Sequence, residues 1–285
     1  MLDYTIKYAN DSHVLDMLEM ENVPYFSFPL LEQLDMVRHG FSTRLGGVSE
    51  GIFSSMNLSF VRGDDYDKVQ ENYRRIASAI GVEKEKIICS KQTHTTNVLV
   101  VNETHAGNGV ITENVLEDID GMITNVPGLC IATFYADCVP LYFVDPVKKA
   151  IGLSHSGWKG TVHKMGAVTI EKMVATYGCD PTDIRVAIGP SICQDCYEVS
   201  EDVIEKFREF YSEKYWNELF YRKGDGKYQL NLWKANEIVL LESGILREHI
   251  AVTNVCTCCN SDLLFSHRAS KGKRGNLGAF LSLTQ

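Results

Sequence analysis

A thiol between two apolar runs defines the chemistry open to this sequence. Phe134-Tyr135-Ala136-Asp137-Cys138-Val139-Pro140 places a polar Asp-Cys pair where two runs rich in β-branched and aromatic residues, 129–135 and 139–144, meet. Two buried strands would bring that pair to a turn. A third run, 150–153, leads to His155 and into Ser156-Gly157-Trp158-Lys159-Gly160, so an imidazole leaves the next strand near the thiol. Upstream, the run 86–89 leads into Lys91-Gln92-Thr93-His94, a second imidazole at a strand end. Thiolate and neutral imidazole are good zinc ligands, and a catalytic zinc keeps three protein ligands and one open position. His94, Cys138 and His155 fit that count. The same residues would also serve as a Cys–His nucleophile pair oriented by Asp137. Spacings of 44 and 17 residues match no short metal signature, so residue types leave metal and thiol chemistry both open. All three lie at the ends of expected strands beside glycine turns, where sites in α/β proteins gather.

Other groups carry weaker signals. Cys193-Gln194-Asp195-Cys196 is a C-x-x-C, but Cys256-Thr257-Cys258-Cys259 reads as C-x-C-C with no following knuckle glycine or proline. A four-thiolate zinc site is conceivable, but buried free thiols are the default there. Arg268, Lys271, Lys273 and Arg274 form a basic loop that is either a solvated face or a phosphate holder. Thr43-Arg44-Leu45-Gly46-Gly47 reads first as a surface turn, although its amides and guanidinium suit an anion. With Lys159, Arg44 and the basic loop would make an anion-binding rim.

The elements that must position these residues follow from periodicity. Strands are expected at 37–42, 86–89, 97–101, 129–135, 139–144, 150–153, 183–188, 250–255, 263–266 and 277–283. Helices are expected at 67–80, 162–177, 200–215 and 230–243, three of them stopped by Gly81, Gly178 and Gly244. Residues 102–119 read as a polar loop and residues 1–36 as a peripheral hairpin or lead-in. The alternation predicts an α/β fold, a single layered domain over 1–285 with a mixed or two-sheet β core flanked by helices.

Composition narrows the function. The chain has 285 residues, 45% of them hydrophobic, and a formal net charge of −9. No overall basic field recruits nucleic acid or anionic lipid. No apolar run approaches the roughly 20 residues needed to span a bilayer. Residues 1–7 lack a basic region followed by an apolar core, so no signal peptide is expected. Nine cysteines, an odd number, favour reduced thiols and a cytoplasmic protein. All eight histidines are isolated in sequence, with no H-x-H pair of the kind a multicopper centre uses.

Taken together, several ordered motifs carry a resemblance. Gly40-Phe41-Ser42-Thr43-Arg44-Leu45-Gly46-Gly47-Val48-Ser49, Asn57-Leu58, Lys91-Gln92-Thr93-His94, Ala136-Asp137-Cys138-Val139-Pro140, His155-Ser156-Gly157-Trp158-Lys159-Gly160, Gly189-Pro190-Ser191-Ile192, Tyr197-Glu198-Val199 and Phe265-Ser266-His267-Arg268 occur in the order of the YfiH-like family. That family is also described as multicopper polyphenol oxidase, or laccase. The resemblance spans nearly the whole chain from about residue 37. It implies an enzyme that phosphorolyses adenosine, inosine and methylthioadenosine and deaminates adenosine. It also implies zinc at His94, Cys138 and His155, and a fold related to toxin deamidases with a Cys–His pair. Inorganic phosphate would be held by Arg44, Lys159 or Arg268, and ribose or base by Asn57 and Gln92. Copper is disfavoured against zinc. Two departures stand out: Thr95 follows His94 where the family has Gly, and Gly275-Asn276 replaces a Gly-Arg, with the arginine at Arg274.

Overall fold

Runs that are apolar at every position need cover on both faces, and here they obtain it by stacking two sheets between helices. The computed structural model describes residues 5–284. One six-stranded sheet runs β1 (Asp16–Met20), β2 (Val23–Ser27), β3 (Val37–Ser42), β15 (Leu277–Leu283), β7 (Cys130–Tyr135), β4 (Ile87–Cys89). The other runs β14 (Ile250–Val252), β10 (Arg185–Ile188), β8 (Val139–Asp145), β9 (Ala150–Ser156), β6 (Gly121–Thr124), β5 (Val98–Val100). A small sheet joins β11 (Glu198–Val199), β13 (Tyr228–Leu230) and β12 (Phe220–Arg222). Both large sheets are mixed, with parallel pairs β4–β7, β5–β6 and β10–β14 among antiparallel ones. The expected mixed, two-sheet α/β core is present.

Alternation along β8 shows how the layers form. Tyr142 and Val144 point to the first sheet, packing in one cluster with Ile131 and Leu281. Leu141 and Phe143 point the other way, against Ile170, Met173, Val239 and Leu240 of the helices Met165–Tyr177 and Leu232–Glu242. The helix Tyr66–Ile80 covers the outer face of the first sheet through Val69, Tyr73, Ile76 and Ile80. Asp65 caps that helix by accepting from Asp67 N and Lys68 N, and Gly81, at φ 80°, ends it. Each fully buried Leu or Phe contributes roughly 1.5–3 kcal/mol. Among the described residues, no helix is long and apolar enough to cross a membrane.

Five expectations change. The helix expected at 200–215 ends at Phe210, because Tyr211 is extended at φ −118°, and a short helix Trp216–Leu219 follows. Residues 1–4 lie outside the described part; the expected N-terminal hairpin is present as β1 and β2, but it is built into the first sheet and not peripheral, with Phe26 and Phe28 fully buried. The helix expected at 162–177 is two, Trp158–Val162 and Met165–Tyr177, because Lys164 takes a left-handed φ of 57°. Residues 263–266 are not a strand. Leu263, Leu264 and Phe265 are buried in a turn, and Ser266 caps the single helical turn His267–Ser270 through Ala269 N. The hairpin β12–β13 was not expected, since three-residue strands leave little periodic signal.

Candidate active site

The two large sheets are joined where β7 of one ends and β8 of the other begins, and Ala136-Asp137-Cys138 make that crossing. Asp137 turns the chain with φ 92° and delivers the half-buried Cys138 between the sheets. His155 leaves β9 opposite Pro140 of β8, so strand pairing holds imidazole and thiol side by side. His94 follows β4, at φ 67°, and its Nε2 lies 4.0 Å from Cys138 Sγ. One ligand atom from each of His94, Cys138 and His155 falls within 4.8 Å of the others. Gly157 lets the group close: a Cβ there would sit 2.9 Å from His94 Cδ2 and 3.1 Å from Cys138 Sγ.

Asp120, fully buried, organises the histidines. Its Oδ1 is 2.8 Å from His155 Nδ1 and accepts from His94 N at 3.1 Å. Its Oδ2 accepts from Thr93 N, Thr95 N and Thr95 Oγ1. One carboxylate therefore aims His155, leaving Nε2 for the centre, and pins the turn that carries His94. A carboxylate behind a ligating imidazole is the usual outer support of a metal site. Burial opposes ionisation of Asp120, but His155 and the Thr95 donors outweigh it and hold the carboxyl below its ordinary value. Burial alone would push the Cys138 thiol up, yet His155 and then His94 bring it down to about 6. Burial likewise opposes charge on His155, but Cys138 and Asp120 raise it to about 9. The donors fit zinc: two imidazoles and a low-lying thiol, one imidazole backed by a carboxylate, with room for a fourth ligand.

The residues expected at the site divide. Asp137 does not orient His155. Its carboxylate accepts from Thr257 Oγ1 at 2.7 Å and Arg268 N at 2.7 Å, because the left-handed turn sends its side chain away from the imidazole that Asp120 holds. The Arg44 guanidinium donates to Ser54 O and Ser261 O and stacks over Phe265 at 4.6 Å. Asn57 is fully buried, donating to Ser59 O and Asp64 Oδ2 and accepting from Asn276 N. The Arg268 guanidinium donates to the Cys196 and Glu198 carbonyls. Gln92 lines the main cleft, its amide paired with both backbone groups of Phe134. Lys159 lines a smaller hollow on the other side of Cys138, with Trp158 and Tyr197.

The main cleft, about 720 Å³, opens onto His94, Cys138 and His155, a volume within the ordinary range for small-molecule sites. One wall is aromatic: Phe60 packs 5.1 Å from Tyr66 and 5.4 Å from Tyr73, and Phe134 adjoins Tyr73. Arg62 and Arg274 also line it. Burial, then the charge of Arg62, lowers Arg274 to about 10. Asp120 and Arg62 had no signal in sequence beyond residue type; Arg274 stood out as a member of the basic C-terminal loop and as the displaced arginine of its Gly-Arg motif.

Comparison with known proteins shows what the whole chain is similar to. Residues 38–284 match the family model described as multi-copper polyphenol oxidoreductase laccase. A protein of Geobacillus stearothermophilus named purine nucleoside phosphorylase YlmD is 35% identical over 246 residues, 85% of this chain and 88% of that one. A protein named adenosine deaminase RL5, from an unknown prokaryotic organism, is 32% identical over 84% of this chain and 93% of its own. The crystal structure of Bacillus licheniformis YfiH superposes with a TM-score of 0.89 at 32% identity, covering 96% of this chain and all of that one. With its motifs in order, its sheets superposed and nearly all of its length matched, the chain belongs to the YfiH-like family.

Proposed function

We propose that this protein is a purine nucleoside phosphorylase that also deaminates adenosine, with zinc held by His94, Cys138 and His155. The observation that carries the reading is the shared cleft: the three-ligand group, an aromatic wall and two arginines face one volume of nucleoside size. Zinc held by His94, Cys138 and His155 would supply Lewis-acid activation of water, the chemistry that hydrolytic deamination at C6 of adenine requires. Asp120 keeps His155 in the tautomer that turns Nε2 inward. Phe60, Tyr66 and Phe134 offer ring faces for the purine. Arg62 and Arg274 hold inorganic phosphate, taking the part that sequence motifs gave to Arg44 and Arg268. Both line the cleft, where Arg62 donates to Asn276 through Nε alone and Arg274 to Gly275 O and Asn276 through Nη1 alone. Arg44 and Arg268 do not line it and donate to backbone carbonyls. In phosphorolysis a phosphate oxygen bonds to the anomeric carbon as the glycosidic bond breaks, and the base departs with that electron pair and a proton. The names of the relatives support both activities. Zinc is preferred to copper because, among the described residues, histidines join a group of three or more ligand atoms only in the pair His94 and His155, far short of an oxygen-reducing cluster. Incubation with inosine and phosphate tests the reading: equal amounts of hypoxanthine and ribose 1-phosphate are expected, and unreacted inosine would refute phosphorolysis.

A second reading rests on the thiol itself. With Cys138 lowered and His155 raised, the metal-free pair is a thiolate beside an imidazolium, as in a Cys–His hydrolase with Asp120 as the third member. Protein purified without added metal that carries no zinc, while alkylation of Cys138 stops turnover, would favour it.

A further inference from the structure

The chain brings together a second set of ligands far from these histidines in chemistry. After β10, Gly189-Pro190-Ser191-Ile192 leads into the turn that carries Cys193 and Cys196. After β14, the turn beginning at Cys256 carries Cys259. β10 and β14 are parallel neighbours, and a bridge between Ser191 and Cys256 extends their register, so both turns emerge side by side from one sheet edge. The run Cys256-Thr257-Cys258-Cys259 therefore hides a second C-x-x-C, Cys256 with Cys259. Cys258 packs against the same apolar cluster as Cys193, Cys196 and Cys256, but its sulfur is not one of the four that converge.

The four sulfurs of Cys193, Cys196, Cys256 and Cys259 all lie within 4.8 Å of one another. Cys196 Sγ is 3.5 Å and Cys193 Sγ 4.0 Å from Cys259 Sγ. Sulfurs bound tetrahedrally at about 2.3 Å from a zinc stand about 3.8 Å apart, so these separations bracket the edge of such a site. Two backbone amides converge on one sulfur: Cys193 N at 3.2 Å and Cys259 N at 3.4 Å both donate to Cys256 Sγ. A neutral thiol is a weak acceptor and attracts little of this. A metal-bound thiolate at the head of a C-x-x-C turn takes such amide bonds readily. The Arg268 guanidinium, bonded to the Cys196 carbonyl at 3.2 Å, brings positive charge beside the group.

We propose that Cys193, Cys196, Cys256 and Cys259 bind a structural zinc ion, separate from the His94, Cys138 and His155 centre. Four thiolates in two C-x-x-C turns close the coordination sphere and leave no open position for chemistry. Binding releases the thiol protons to solvent and ties the two turns together. Those turns matter to the cleft region, since Ile192 N donates to Asp137 O and Thr257 Oγ1 holds the Asp137 carboxylate. The site is a clip that fixes the β10 and β14 turns against the residue preceding Cys138.

The test is metal analysis of reduced protein in which Cys138→Ala and His155→Ala together empty the first centre. Roughly one equivalent of zinc per chain is expected to remain, with an absorption-edge spectrum of four sulfurs at about 2.3 Å. Adding Cys259→Ser should remove that zinc and lower the melting temperature, while adding Cys258→Ser should leave it in place. If the combined variants do not fold, the wild type still decides. Its zinc shell must be dominated by sulfur, whereas His94, Cys138 and His155 alone give mainly nitrogen. A zinc-free double variant whose four thiols titrate freely in the native state would overturn the proposal. So would disulfides among them, iron in place of zinc, or a nitrogen-dominated shell in the wild type.

Discussion

At the scale of single residues, the site is governed by which polar atoms are already spent. His94, Cys138 and His155 were legible in the sequence because thiol and imidazole have few common roles at strand ends. Asp120 was not: it lies 35 residues from His155, and an aspartate before a glycine reads as an ordinary turn. Asp137 looked like the orienting carboxylate through adjacency to Cys138, but a left-handed turn separated them. Asp120→Asn is expected to cut metal affinity or turnover about 10- to 100-fold, the usual cost of losing a ligand's supporting carboxylate. Zinc content and kcat check it, and an unchanged enzyme would remove Asp120 from the site. The arginines separate in the same way. A charge-assisted hydrogen bond contributes roughly 1.5–3 kcal/mol, so Arg62→Ala or Arg274→Ala should raise the KM for phosphate at least about ten-fold, with less effect on nucleoside. Arg44→Ala should instead cost stability, measured by denaturant titration, and leave the phosphate dependence alone.

Elements account for what the sequence made plain and what it concealed. Strands β7, β8, β9 and β15 are buried on both faces, so their apolar runs were conspicuous. β6, β11, β12 and β13 are two to four residues long and offer almost no period to read. The turn between β9 and the helix Trp158–Val162 constrains the centre most directly. Gly157→Ala would drive a methyl into His94 and Cys138, and if both ligate zinc as proposed, the change should release it while the fold stays intact. Circular dichroism and zinc analysis on one sample would show this; full zinc occupancy would contradict it. A pH dependence belongs to β3. His39 is buried, accepts from Phe28 N through Nε2, and burial lowers it from 6.5 to about 4. Its Nδ1 lies 3.7 Å from the half-exposed Glu32 carboxylate. The folded state keeps His39 neutral where the unfolded chain binds a proton. Its share of stability is therefore complete above pH 6.5 and falls away as pH drops toward 4, by roughly 3 kcal/mol. His39→Gln should flatten that part of the stability curve against pH.

For the whole molecule, two stacked sheets place a reactive centre at the crossing from β7 to β8, the shortest of the passages between them, and leave a cleft of about 720 Å³ above it. Fold class and the ordered motifs were readable from sequence because they depend on local pattern. The lining of the cleft was not, since it draws on β4, β7, the loop at 107–114 and the C-terminal loop at once. The central claim is that this centre and cleft act on purine nucleosides. The most direct measurement is product analysis of adenosine incubated with wild type and with Cys138→Ala, each with and without phosphate. Wild type is predicted to give adenine and ribose 1-phosphate only when phosphate is present, and inosine with or without it. Cys138→Ala is predicted to give none of these. Adenosine left intact by the wild type, or converted equally well by the variant, would contradict the account.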